Sequence, residues 1–496
     1  MKKFLSANEA VAHAAAQAGC VVASAYPGTP STEILENIAK FKDTIRCEWA
    51  VNEKVAVETA VGASMAGARA LTAMKHVGLN VAMDPLMTFT YVGPLGGFVL
   101  ISADDPGMHS SQNEQDNRNL AMFARARLLE PADSQEAYDM TVKAFELSEK
   151  FQVPVIIRLT TRTSHSSSMV ELGDFSPKPH PLIPYVKNIQ KNIPVPAFAP
   201  TQRLNAQKRT AAMEKMACTS KFNKIVKPAK GVKVSAKAKV HKADATLPRR
   251  PPVLCSGCGH RGVFYVLHKL GATVTGDIGC YTLGAFPPLN AMDSTICMGA
   301  SIGNAAGMKK AGLKGRICAV LGDSTFFHSG MTGILSALYN GTPVTTIVLD
   351  NRITGMTGHQ DNPGSGKTLD GNPAPVVEID AIARACGYSR VVTVSADDLA
   401  ALEKTLAEAM DSNEPALVIA YAPCRIAAKL TKEGLCEVDE AKCKACGACF
   451  KMGCPAMTRG KEIRKGFFQM KIDASLCAGC KQCSQVCKFG AIKRVR

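Results

Sequence analysis

Short runs of uninterrupted apolar residues alternate along most of the chain with longer stretches whose apolar positions recur at helical spacing. In the first part the runs fall at Cys20–Ala25, Leu71–Lys75, Gly97–Ser102, Arg127–Leu129 and Val153–Leu159, with a shorter one at Thr44–Cys47. Runs without polar alternation suit strands covered on both faces, as in a parallel sheet. Ser6 and Glu9 have the spacing of a capping box ahead of an alanine-rich helix that ends near Gly19, and Ser134–Lys150 reads as another helix. This alternation predicts a parallel α/β domain over residues 1–165. Residues 166–220 read as an irregular connector containing a short helix at Thr210–Met216. From 251 to 430 the alternation resumes, with buried-strand patterns at Ile317–Leu321 and Thr345–Leu349, and predicts a second α/β domain. Residues 431–496 lose the apolar periodicity and form a third, smaller domain.

Composition then narrows the function classes. The hydrophobic fraction of 46% suits α/β layers. No apolar run reaches the roughly 18 residues of a membrane span, and the longest, Val92–Ala103, is broken by Gly93-Pro94 and Gly96-Gly97. Glu9 and His13 interrupt what would be a signal-peptide core after Met1-Lys2-Lys3, so the chain reads as cytoplasmic with no membrane partner. A formal charge of +17 raises nucleic acid as a partner, yet ten Lys or Arg against one acidic residue fall in 221–250 alone. That segment has no helical or strand period, so it reads as a solvated basic linker, and no nucleic-acid motif accompanies it. Nineteen cysteines in a cytoplasmic chain point to metal or redox chemistry rather than disulfides.

Candidate chemistry begins in the stretch Val320–Thr357. Gly322-Asp323-Ser324 closes one buried-strand pattern and Asp350-Asn351 closes the next. A carboxylate and a carboxamide on one lip of a parallel sheet offer two hard oxygen donors to a divalent cation and its diphosphate, at the edge where open α/β sheets bind ligands. A strand, a turn and a second strand are common in α/β domains, so the pattern gains specificity only from its company. Gly-Asp-Ser, an interval of 25 residues and Asp-Asn resemble the thiamine-diphosphate signature. The resemblance implies thiamine diphosphate and Mg²⁺, held by Gly322, Asp323, Ser324, Asn351 and the carbonyl of Ile353. Gly364-Ser365-Gly366-Lys367-Thr368 is not a P-loop, because Asp361 stands where its first glycine belongs.

The C-terminal domain carries Cys443, Cys446, Cys449 and Cys454-Pro455, repeated after 34 residues as Cys477, Cys480, Cys483 and Cys487. Three close cysteines grip one face of an iron cube and a distant one closes it, and the pattern resembles the bacterial ferredoxins with two [4Fe–4S] clusters. Zinc ribbons rarely string four cysteines so densely. Crossed ligation in that family implies one cluster on Cys443, Cys446, Cys449 and Cys487 and another on Cys477, Cys480, Cys483 and Cys454. The wider gap before Cys454 and Lys488 in place of a proline depart from the family without removing a ligand.

A thiamine site also needs a carboxylate that hydrogen-bonds N1′ of the aminopyrimidine, so that the 4′ nitrogen can deprotonate C2. Glu53, opening a helix in the other α/β domain, has that chemistry, and Glu48 at a strand end is the runner-up. Small residues from Gly62 to Ala68 let the Glu53 helix pack closely, and a partner subunit is the expected neighbour.

Seven stretches together carry a wider resemblance: YPGTPSTE (26–33), VNEKVAVE (51–58), DDPGMHSSQNEQDNR (104–118), CSGCGHR (255–261), DIGCYTLG (277–284), GDSTFFHSG (322–330) and NRITGMTGHQDNPG (351–364). They resemble the large subunits of indolepyruvate ferredoxin oxidoreductases, within the 2-oxoacid:ferredoxin oxidoreductase superfamily, over residues 1–215 and 248–496. The resemblance implies a pyrimidine-binding first domain, a diphosphate-binding second and a ferredoxin-type third. It implies oxidative decarboxylation of an aryl pyruvate, indolepyruvate or phenylpyruvate, to an aryl acetyl-CoA, with coenzyme A as co-substrate and ferredoxin as acceptor. A small (beta) subunit and a dimer of heterodimers follow from it, with the halves of the active site meeting across the dimer. By the same likeness Glu53 is the catalytic carboxylate and Thr29 lies near substrate. A third, proximal [4Fe–4S] cluster sits on Cys255, Cys258, Cys280 and Cys424. His76, Arg162 and His328 are candidates for contacts to the substrate carboxylate or oxyanion. The basic 221–250 segment stands where such subunits carry a transketolase C-terminal-type domain. Two competing readings are a non-catalytic electron-transfer or regulatory subunit, and a non-redox thiamine decarboxylase with a vestigial ferredoxin tail.

Overall fold

The computed structural model of the chain describes residues 1–496 apart from 112, 174–176, 221–222, 224–251, 357, 369–370, 430–433 and 496. The basic linker expected at 221–250 therefore lies outside the described residues, Asn223 excepted. After an N-terminal strand β1 (Lys2–Ser6), six strands form the first sheet: β2 (Val22–Ala25), β3 (Arg46–Trp49), β4 (Ala70–Lys75), β5 (Phe98–Asp104), β6 (Arg127–Leu129) and β7 (Val155–Thr160). All six run parallel, in the order β3-β2-β4-β5-β7-β6. Every residue of β5 is buried, which is why its sequence reads as an apolar run. Ser6 caps the first helix reciprocally, its Oγ accepting from the Glu9 N–H at 3.2 Å while its own N–H donates to Glu9 Oε2 at 2.8 Å.

A strand β8 (Ser167–Glu171) follows, antiparallel to β1. The second sheet then holds β9 (Thr273–Gly276), β10 (Ser294–Thr295), β11 (Ile317–Gly322), β12 (Thr345–Asp350), β13 (Arg390–Ser395) and β14 (Ala416–Tyr421), parallel and ordered β10-β9-β11-β12-β14-β13. Counted from its own first strand, each sheet reads 2-1-3-4-6-5. The chain is thus of the expected α/β class, with two parallel-sheet units of one topology. The order changes direction between the first and third strands, and ligands bind parallel sheets at such a point. In the second sheet that crevice lies between β9, which leads into Asp277, and β11, which leads into Asp323.

Three local readings change. The helix expected at Thr210–Met216 spans Ala199–Ala217, started by Pro200 in its first turn. β1 and β8 escape sequence reading because each buries a single residue, Leu5 and Val170, and so shows no alternation. The helix Glu53–Met65, expected to face a partner subunit, packs instead along Ala300–Lys310 of the same chain. A Cβ on Gly62 would stand 2.1 Å from the Asn304 carbonyl oxygen, and one on Gly307 1.9 Å from that of Thr59. Val57, Ala60 and Val61 join Ile302, Ala305 and Met308 in one buried cluster across this contact, so the two units share a core.

The last segment contains β15 (Leu435–Val438), the hairpin β16 (Met457–Arg464) and β17 (Phe467–Ile472), and β18 (Ile492–Val495), which pairs antiparallel with β15. It is docked on the second unit: Gln482 Nε2 donates to Asp397 Oδ1 at 2.7 Å and Gln485 Nε2 to the Asp397 carbonyl at 2.8 Å. No described helix is long and apolar enough to cross a membrane.

Candidate active site

Asp323 leaves the end of β11 only 2% exposed. Its Oδ1 accepts from the Ser324 N–H at 2.7 Å, and its Oδ2 from the Ile353 N–H at 3.1 Å and Asn362 Nδ2 at 3.3 Å. Asn351 Oδ1 also accepts from the Ile353 N–H at 3.1 Å, so carboxylate and carboxamide share one donor and lie side by side. Burial, reinforced by the neighbouring carboxylate Asp350, pushes Asp323 up to about 7. A divalent cation is what such a buried oxygen lip favours, and the donor set fits Mg²⁺ with a diphosphate. A Cβ on Gly322 would meet the Tyr281 ring at 2.9 Å, which keeps that turn free of a side chain.

Three residues that sequence reasoning did not single out shape this lip. His260 is buried, and desolvation lowers it to about 4, leaving it neutral. Its Nε2 lies 3.4 Å from Asn351 Nδ2, a contact that assigns Nε2 as acceptor and turns Asn351 Oδ1 toward Ile353. Asn362 reaches back from an irregular loop. Asp277, fully buried across the crevice, accepts from the Ser301 N–H at 2.7 Å and Ser301 Oγ at 2.9 Å, and burial pushes it up to about 7. All three do stand in quoted stretches, His260 in CSGCGHR, Asp277 in DIGCYTLG and Asn362 in NRITGMTGHQDNPG, which is the signal that could have found them.

Cysteines adjoin the same lip. A Cβ on Gly355 would touch both Cys280 Sγ at 3.6 Å and Asn351 Nδ2 at 3.8 Å. The Cys424 N–H donates to the Asn351 carbonyl at 3.1 Å, and the Cys258 N–H to the Cys255 carbonyl at 3.1 Å. Burial pushes the Cys258 thiol up to about 12, with Cys255 and Cys280 adding to the rise, and Cys280 rises through burial and then through Cys255 and Cys424. Each of these thiols thus acts on at least one other of the four. In the C-terminal domain Cys443, Cys446, Cys449 and Cys487 line one pocket, the set that crossed ligation implies. Cys454 and Cys480 both act on the Cys483 thiol, and the Cys436 N–H donates to Cys477 Sγ at 3.4 Å. Among the described residues no group of three or more His, Cys, Asp or Glu is arranged to hold a metal ion.

The other half comes from the first sheet. Asn52 caps the Glu53 helix through the Val55 N–H at 2.9 Å. The Glu53 carboxylate lies against Gly78, whose added Cβ would meet its Oε1 at 2.6 Å, and burial raises its pKa. Lys54 Nζ, paired with buried Glu58, donates to the Met298 carbonyl at 3.0 Å, which also accepts from Ser329 Oγ at 2.6 Å. The first turn of this helix thus reaches the second unit within one chain, where the resemblance implied a meeting across a dimer. Glu48 is engaged by Lys310 at 2.5 Å. His76 is fully buried beside Gly78, with Nε2 at 3.1 Å from the Asn113 carbonyl. Thr29 is exposed, and its carbonyl is met by Ser110 Oγ at 3.5 Å. Arg162 is exposed on the turn after β7. Thr29, His76 and Arg162 thus share the carboxyl edge of the first sheet, whereas His328 is exposed on the second unit, its Nδ1 2.9 Å from Ser329 Oγ.

Known proteins complete this picture. Residues 13–237 match the family described as pyruvate flavodoxin/ferredoxin oxidoreductase, thiamine diP-binding. Residues 277–420 match the thiamine pyrophosphate enzyme C-terminal TPP-binding domain, and 470–493 a 4Fe-4S binding domain. The indolepyruvate oxidoreductase subunit IorA of Archaeoglobus fulgidus is 35% identical over 99% of this chain and 97% of its own length. Its namesake in Pyrococcus horikoshii is 33% identical over 100% of this chain and 97% of its own. The chain belongs to the family of indolepyruvate oxidoreductase large subunits. Its members' domains make it a thiamine-diphosphate-dependent 2-oxoacid:ferredoxin oxidoreductase with iron–sulfur clusters, and a large subunit implies a second one. The Archaeoglobus alignment spans 613 positions against 496 residues here, so the family's usual subunit contains a stretch that this chain lacks. A Mycobacterium smegmatis protein described as a candidate thiamin diphosphate-dependent enzyme shares the fold, with a TM-score of 0.53 and 13% identity over 84% of this chain and 99% of its own.

Proposed function

We propose that the chain, with a small subunit, oxidatively decarboxylates aryl pyruvates such as indolepyruvate and phenylpyruvate to aryl acetyl-CoA and passes the electrons to ferredoxin. The reaction takes one 2-oxoacid and one coenzyme A to one acyl-CoA and CO₂, releasing two electrons and one proton. Thiamine diphosphate supplies the electron sink for the loss of CO₂ when bound. Asp323, Asn351 and the Ile353 carbonyl would hold a Mg²⁺ that neutralises its diphosphate, with Asn351 oriented by His260. Glu53 holds a proton at N1′ of the aminopyrimidine, a role that its raised pKa supports. Thr29 and His76, on the edge next to Glu53, line the approach for substrate, with Arg162 and His328 as further candidates for its carboxylate.

The observation that carries the redox reading is Cys280 and Cys424 beside Asn351. A decarboxylase that releases aldehyde has no use for thiols at its diphosphate lip. Ser256 Oγ lies 3.7 Å from Cys454 Sγ, so Cys454, Cys477, Cys480 and Cys483 would hold the next electron carrier, and Cys443, Cys446, Cys449 and Cys487 would hold the outermost one. The non-catalytic reading is disfavoured by Glu53 and the oxygen lip both being intact. The aryl preference is supported by the names of the relatives. The test is anaerobic viologen reduction by the reconstituted complex with indolepyruvate, phenylpyruvate and pyruvate, with and without coenzyme A. Aryl pyruvates faster than pyruvate and dependence on coenzyme A are expected; equal rates or aldehyde as sole product would overturn the assignment.

A further inference from the structure

Arg261 ends the stretch CSGCGHR and has no part in the thiamine site. It projects from the helix His260–Lys269 and is 3% exposed. Its Nη2 donates to the carbonyls of Leu254 at 2.6 Å and Cys255 at 3.0 Å, in the loop that carries Cys255 and Cys258. Its Nη1 donates to the carbonyls of Met452 at 2.9 Å and Gly453 at 2.5 Å, in the loop that carries Cys454. Gly453 has φ +66, and a Cβ there would press on Pro288 at 2.8 Å, so this turn is shaped to bring its carbonyls to the guanidinium. The Arg261 Nε is buried without a hydrogen-bond partner, and all four bonds of the side chain go to backbone carbonyls rather than to a carboxylate.

A buried guanidinium without a counter-charge is costly unless an anion sits close by. Iron–sulfur clusters ligated by four thiolates are anionic, more so when reduced, and Arg261 lies between two of the sites assigned here.

We propose that Arg261 is a positioning residue for electron transfer, clamping the Cys255–Cys258 loop to the Cys454 loop and supplying the fixed positive charge between the two cluster sites. This rests on the redox reading above. At each transfer one electron crosses the junction, the donor site is oxidised by one unit and the acceptor reduced by one, and no bond is made or broken. The 2-oxoacid is the electron source.

The test uses Arg261→Gln and Arg261→Lys in the complex with the small subunit, purified anaerobically. Both variants should retain wild-type iron. In Arg261→Gln the amides of 254–258 and 452–454 should exchange with deuterium about tenfold faster or more, the equivalent of one charge-assisted hydrogen bond. Loss of the cation should lower the midpoint potentials of the two flanking clusters, read by EPR-monitored titration with dithionite. The kcat for indolepyruvate-driven viologen reduction should fall by about tenfold or more with KM unchanged. Arg261→Lys should restore the potentials but not the protection or kcat, because one ammonium cannot span four carbonyls. Wild-type potentials and exchange in Arg261→Gln would overturn the proposal. So would loss of iron from both variants, which would make the residue a plain structural support. A wild-type complex whose clusters are not reduced by any 2-oxoacid would sink the functional reading instead, while the dithionite titration and the exchange would still decide the role of Arg261.

Discussion

Gly62→Ala is the smallest change that strains the contact on which the split site depends. Its new Cβ would stand 2.1 Å from the Asn304 carbonyl oxygen and 2.6 Å from the Asn304 Cα. Both are backbone, so no side-chain rotation can yield, and the helices Glu53–Met65 and Ala300–Lys310 must part by about 1 Å to reach ordinary contact. Overpacking of this kind costs about 1 to 3 kcal/mol. The upper end applies, because the buried cluster of Val57, Ala60, Val61, Ile302, Ala305 and Met308 opens with it. Urea unfolding of the apo chain can be followed by its single tryptophan, Trp49, whose carbonyl accepts from Asn340 Nδ2 of the second unit at 3.2 Å. Gly62→Ala should lose about 3 kcal/mol and bind thiamine diphosphate more weakly. Gly173→Ala, whose Cβ would meet none of the described residues within 4 Å, should stay within about 0.5 kcal/mol of wild type. A Gly62→Ala protein as stable as the Gly173→Ala control, with unchanged cofactor affinity, would refute the packing of these two helices within one chain.

Glu53→Gln should lower kcat by roughly 10²-fold to 10⁴-fold in the viologen assay while calorimetry shows cofactor binding retained. Cys487→Ala should remove about four iron atoms together with the signal of the set Cys443, Cys446 and Cys449, and leave that of the Cys454 set; iron analysis and EPR decide. Asp277 has a folded pKa pushed up to about 7, so the folded chain keeps a proton that the unfolded chain releases. Stability is then lost as pH rises from about 4 to about 7 at up to about 1.4 kcal/mol per unit. Asp277→Asn should flatten that part of the pH profile of the apo chain, measured by urea unfolding; an unchanged slope would show that Asp277 is ionised throughout.

Much of the architecture is legible because parallel strands buried on both faces read as apolar runs, as Gly97–Ser102 does for β5. The exposed pair β1 and β8 leaves no such trace. Small residues between Gly62 and Ala68 announce close packing, yet nothing local says against what, and the partner turned out to be Ala300–Lys310 of the same chain. Asp323 and Asn351 follow strands and so stand out. His260 acts on Asn351 from 91 residues upstream, brought close only by the fold, whereas Asn362 stands in the stretch 351–364 and reaches back to Asp323. The cysteine spacings show two ferredoxin-type runs, while the exchange of Cys454 and Cys487 between them comes from the family resemblance alone. The junction at Arg261 depends instead on how the third domain docks, which no spacing encodes.

Glu53, the Asp323–Asn351 lip and the adjoining cysteines are proposed to form one redox thiamine site. Its most direct test is rapid mixing of the anaerobic reconstituted complex with indolepyruvate and thiamine diphosphate, with cluster absorbance and CO₂ followed together. Cluster bleaching in step with CO₂ release is expected in wild type, and neither in Glu53→Gln. Release of CO₂ with the clusters left oxidised, in wild type loaded with iron, would contradict it.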